Sequence, residues 1–121
     1  MSARSLTVEQ VAHIATRLGA SVRNPHLLAS AIARPLASAA GQDAYPAIEE
    51  RAAALLISLA ENQAYLDGNK RVAYVSAVVL LRLHGWQLTA TSEEVVALMR
   101  QLRYRSVAEV SNWLRSHSRP L

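Results

Sequence analysis

The chain has 121 residues, about the size of one domain, and carries 13 Lys+Arg against 9 Asp+Glu, a net charge of +4. It has no cysteine, which excludes disulfide staples, thiolate catalysis and Cys-based zinc sites, and suits a reducing cytoplasm. Hydrophobic residues at 51% with charged residues at 18% exclude a disordered chain, and only 4 Gly and 4 Pro favour helices over a many-turned β fold.

Met1 to Gly19 has no apolar core of the kind a signal peptide needs. Instead, Thr7-x-x-Gln10 has capping-box spacing. Val8, Val11, Ala12, Ala15 and Leu18 then recur at helical spacing up to a stop at Gly19. Asn24-Pro25 opens a second helix, with Asn as cap and Pro at the first helical position. Leu27, Leu28, Ala31 and Ile32 form its stripe, and Arg34-Pro35 ends it. Ala37 to Ala44 is small and polar and reads as a loop or a short helix.

Pro46 begins a third helix whose buried face is Ile48, Ala52, Leu55, Leu56, Leu59 and Ala60. Tyr65 to Gly68 breaks it, and Asn69 caps a fourth helix running from about Lys70 to His84, with Gly85 as its stop. The fourth helix is apolar nearly all round, which predicts the central place in the core. Its run Val72 to Leu81, bounded by Arg71 and Arg82, is too short to span a bilayer. Trp86 to Ala90 reads as a short connector compatible with extended chain. Thr91-x-x-Glu94 and Ser106-x-x-Glu109 are two more capping boxes, opening helices through Met99 and Leu102 and through Val110, Trp113 and Leu114. The expectation is a compact all-α bundle of about six helices in one domain, residues 1–121, in the cytoplasm and away from membranes.

The chemistry concentrates in Asn62 to Arg71, NQAYLDGNKR. Gly68 permits a turn at low steric cost. A helix N-terminus offers free N–H groups and partial positive charge, so it favours anions. Lys70, the chain's only lysine, and Arg71 at that terminus oppose the dipole. A choice that works against local stability points to function. A phosphate is the natural ligand, and Asp67 is placed to hold Mg²⁺ beside it. The competing reading is a solvated loop in which Lys70 and Arg71 pair with Glu49, Glu50 or Glu61. The stretch lacks the GxxxxGK[ST] of a P-loop.

Beyond this stretch the signals are plainer. His13, His26, His84 and His117 show no HxxxH spacing, which argues against zinc. No nucleophile elbow is present. Trp86 and Trp113 read as core anchors. Arg100, Arg103, Tyr104 and Arg105 form the densest basic patch, too sparse to predict direct DNA binding and equally suited to an acidic protein.

DGNKR resembles the core of the Fic/Doc motif, HxFx(D/E)GN(G/K)R, in the form with Lys that marks the death-on-curing (Doc) branch. The Fic branch has Gly where Lys70 stands and a further Arg where Tyr74 stands. Val22-Arg23-Asn24-Pro25 with Leu27-Leu28, Ala31 to Pro35, Tyr45-Pro46 and Trp113-Leu114-Arg115 also resemble that family. The resemblance implies a toxin of a bacterial toxin–antitoxin pair. Its activity would be that of a protein kinase transferring the ATP γ-phosphoryl group to a threonine of translation elongation factor Tu. It implies Asp67 for the metal, Asn69, Lys70 and Arg71 with the amides from Gly68 onward for the phosphates, and a cognate antitoxin docked as a helix. A Fic-type nucleotidyl transferase (an AMPylator) and a silent binding or regulatory module are the alternatives. The motif's catalytic histidine is replaced by Gln63, whose amide cannot accept the proton of an attacking hydroxyl. A naturally inactive homologue and an inactivated toxin both account for it. The resemblance therefore implies an enzyme fold that is silent or weak in this sequence.

Overall fold

A computed structural model describes residues 4–121; residues 1–3, the start of the stretch without a leader signature, lie outside the described part. Six helices follow in order: α1 Val8–Arg17, α2 Pro25–Ala33, α3 Ile48–Asn62, α4 Asn69–Leu83, α5 Ser92–Gln101 and α6 Val107–Ser116. Among the described residues, none is long and apolar enough to cross a membrane.

Local chemistry sets most helix starts. The hydroxyls of Thr7, Thr91 and Ser106 accept from the N–H three residues on, and Gln10, Glu94 and Glu109 accept from the cap N–H in return. Asn24 Oδ1 accepts from the N–H groups of His26 and Leu27 ahead of α2. Each such cap contributes about 1 kcal/mol. α2 ends where expected, and Arg34–Leu36 tightens into a 3-10 turn that buries Pro35.

The centre of the bundle is α3, not α4. Every residue from Ala52 to Leu59 is buried. Three alanines let neighbours approach from all sides, and Ser58, the polar member, donates to Ala31 O of α2 at 2.8 Å and so is satisfied. α4 lies against α3, burying Val72, Ala73, Ser76, Ala77, Leu80 and Leu81 while its other face is half-buried. Val11 and Ala15 of α1, Leu28 and Ile32 of α2, Leu98 and Met99 of α5, and Val110 and Leu114 of α6 complete the core.

Two small antiparallel pairs accompany the helices. Residues 37–44 hold neither a plain loop nor a short helix but a hairpin of β1 (Ser38–Ala39) and β2 (Gln42–Asp43). Its two-residue turn places Ala40 and Gly41 at φ 52° and 78°, the double positive φ that matches strand twist. Arg4 holds Asp43 at 2.8 Å. Trp86–Leu88 forms β3, extended as the connector reading allowed, and pairs with a tail strand, β4 (Ser118–Pro120). Trp86 and Trp113 pack half-buried against the core.

Candidate functional site

The site begins where α3 stops. Gln63 is in the left-handed region at φ 51°, a conformation that costs a non-glycine residue free energy and turns the chain out of the helix. The segment between α1 and α2 holds that turn. The Arg23 guanidinium donates to Gln63 O at 2.8 Å, and the Arg23 and Asn24 amides donate to Ala64 O at 2.7 and 3.1 Å. Leu66 N–H donates to Ser21 O at 3.0 Å, and Val22 bridges Tyr65.

Tyr65 anchors the loop in the core at 2% exposure. Its hydroxyl has no hydrogen-bond partner among the described residues, and burial pushes its pKa up. Asn69 ties the loop to α4 from the other end. Its Oδ1 accepts from Tyr65 N–H at 3.0 Å and its Nδ2 donates to Tyr65 O at 2.9 Å. By sequence Asn69 is expected to cap α4. The cap is Gly68, at φ 78°, and the Asn69 amide is engaged in shaping the loop.

No side chain caps α4, so the N–H groups of its first turn are left open. Around that turn lies a pocket of about 500 Å³, lined by Ala60, Gln63 and residues 66–71. All six residues singled out from the sequence, Gln63, Asp67, Gly68, Asn69, Lys70 and Arg71, line this one space. Its volume is in the range of small-ligand sites. The ion-pair alternative is not what the chain adopts. Glu49 is 3.9 Å from Arg115, Glu61 is 3.9 Å from Arg34, and Glu50 accepts from the Ala47 N–H. Among the described residues Lys70 and Arg71 have no carboxylate partner.

A metal would meet a single carboxylate here. Asp67 Oδ1 accepts from Gly68 N–H at 2.8 Å, and its second oxygen has no hydrogen-bond partner among the described residues. Among the described residues no group of three or more His, Cys, Asp and Glu is poised for a metal. That arrangement fits Mg²⁺, which takes one or two carboxylates and fills its shell with phosphate oxygens and water.

Arg23 was missed by the sequence reading because its contact spans forty positions. The only advance signal was that Val22-Arg23-Asn24-Pro25 shared the family likeness. His117, at the end of α6, bonds Glu94 Oε2 at 3.0 Å and Trp113 O at 2.7 Å. It borders a separate cavity between α5 and α6.

The site is thus a glycine turn feeding an uncapped, cationic helix start within a helical bundle. Residues 5–81 match the Fic/DOC family, and the chain belongs to it. It is also 52% identical over 69 residues to Toxin Doc of Mycolicibacterium smegmatis, an alignment covering 57% of this chain and 53% of that protein. The chain thus spans about half the length of this curated relative.

Proposed function

We propose that the chain is a Doc-type toxin: a protein kinase that moves the γ-phosphoryl group of ATP to a threonine hydroxyl of translation elongation factor Tu, held back here by Gln63. The observation that carries this reading is Lys70, without a carboxylate partner among the described residues, beside the open amides of α4 in a pocket of about 500 Å³. Phosphoryl transfer is mainly positioning and charge neutralisation, and this pocket offers both. Lys70, Arg71 and the amides from Gly68 onward would hold the phosphates, with Asn69 keeping the loop in shape. Asp67 would hold Mg²⁺, which when bound offsets phosphate charge.

In the reaction the threonine oxygen forms a bond to the γ-phosphorus, and the bond from that phosphorus to the bridging oxygen breaks to release ADP. The hydroxyl proton must go to a base. Gln63 provides none, so it passes to solvent, at a cost of ~10²–10⁴-fold in rate. Lys70 in place of Gly, and the half-buried Tyr74 in place of a second Arg, favour γ-phosphoryl over nucleotidyl transfer. A toxin of this kind implies a cognate antitoxin, an acidic segment docking as a helix in an apolar groove. Its test is calorimetry with the product of the neighbouring gene, and absence of binding argues against the pairing.

The decisive experiment restores the base. Gln63→His, incubated with elongation factor Tu and ATP, should transfer label from the γ position ~10²–10⁴-fold faster than the parent. Label from the α position would establish a nucleotidyl transferase, and no transfer from the restored protein would leave a binding module.

A further inference from the structure

A second cleft, of about 400 Å³, adjoins the phosphate pocket and shares Ala60, Gln63 and Lys70 with it as a common wall. Its far side is the end of α5 and the 3-10 turn that follows. Arg100 and Arg103, three positions apart on one face, both line it. Among the described residues neither has an ion-pair partner. Arg105, which the sequence grouped with them, is drawn away to Gln101 at 2.6 Å and Glu109 at 3.3 Å. The cleft's one carboxylate, Glu61, is 3.9 Å from Arg34. Buried Met99 and Leu102 also contribute to the lining. At its edge Arg103 lies 5.4 Å over the ring of Tyr104, which is 76% exposed.

We propose that this cleft seats the acceptor polypeptide: an extended acidic segment whose carboxylates pair with Arg100 and Arg103 while its hydroxyl reaches the phosphate pocket past Gln63. The inference rests on the phosphoryl-transfer reading and adds the chemistry of the acceptor to it. With Lys70 engaged by the phosphates, Arg100 and Arg103 remain against one carboxylate that already lies 3.9 Å from Arg34, and they select a negatively charged occupant. The shared wall brings that occupant to the reacting phosphate. The nucleotide has its own phosphate ligands at the start of α4, so it does not need the two arginines. A nucleic acid would need a denser basic face with more stacking rings than Tyr104 alone.

The test uses the full chain, whose Gln63 keeps transfer slow during binding measurements. Fluorescence anisotropy is read with an acidic pentapeptide bearing a central threonine, its glutamine counterpart, and a thymidine octanucleotide. A fluorescent ATP analogue with magnesium is titrated separately. The acidic peptide should bind tightest, and the exchange R100E/R103E should weaken it roughly tenfold while changing ATP-analogue affinity less than about twofold. The glutamine peptide binding equally well, the octanucleotide binding more tightly, or the exchange leaving peptide affinity unchanged would each overturn the proposal. Loss of ATP-analogue affinity in R100E/R103E would overturn it too, by assigning the cleft to the nucleotide. Failure of the parent itself to bind the ATP analogue would instead sink the phosphoryl-transfer reading, and it is seen before any arginine is changed. Both arginines are exposed, and unchanged circular dichroism of the variant verifies the fold.

Discussion

Tyr65 and Asn69 divide the work of shaping the loop, and each makes its own prediction. The Tyr65 ring fills the core, but its hydroxyl is buried without a partner among the described residues. An unpaired buried hydroxyl costs about 1–3 kcal/mol of desolvation. Tyr65→Phe keeps the ring and removes that cost, so calorimetry should show a melting temperature equal to or above the parent's. A clear drop would mean that the hydroxyl has found a partner. Asn69→Ala removes both bonds to the Tyr65 backbone. The expected loss is about 1–3 kcal/mol of stability, with weaker binding of an ATP analogue, measured on the same sample. That Asp67, Lys70 and Arg71 share one pocket was legible in the sequence because they lie close together along the chain. The part played by Asn69 was not legible. An Asn before a helix reads as a cap, and only the folded loop shows that its amide faces Tyr65 instead.

Helix ends were the most legible elements. Thr7, Asn24, Thr91 and Ser106 cap helices through contacts two or three residues away, so neighbouring letters suffice to find them. The strands were harder. β1 and β2 are two residues each, with Ala-Gly rather than Asn-Gly at the turn, and β3 pairs with a tail some thirty positions later. Neither pairing has a local signature. The caps of α5 and α6 also predict a response to acid. Glu94 is held below the ordinary carboxyl value of 4.5, first by the Thr91 backbone N–H and further by the Thr91 hydroxyl and His117. Glu109 is lowered likewise, first by the Ser106 N–H and then by Arg105. A lowered folded pKa means that the ionised form stabilises. The contribution is complete above pH 4.5 and is lost as pH falls through the lowered values. Thermal melts from pH 6 to 2 should therefore fall in the acid range, and the fall should be shallower in Glu94→Gln.

At the scale of the whole molecule, the all-α bundle followed from composition and periodicity, while the identity of its central helix did not. The run Val72 to Leu81 makes α4 apolar nearly all round in the sequence, yet α3 is the helix surrounded on every side. Alanines score as weakly apolar, but their small size is what lets several helices close on one. Ser58 reads as polar until its bond to Ala31 O is seen. Leu55 is fully buried at this centre. Leu55→Ala should cost about 2–5 kcal/mol, read from urea unfolding, because the packed alanines leave little room to collapse the cavity. A cost under about 1 kcal/mol would show that the centre is looser than its burial indicates.

The strip from Ser21 to Asn24 makes the motif's geometry a property of distant chain. Excised as a peptide, residues 62–71 would keep every reactive group and lose the contacts that turn Gln63 out of its helix. Transplanting those ten letters onto another helical hairpin would therefore carry over the chemistry without the shape. A working graft has to bring along a backbone strand and the arginine that lies forty positions upstream.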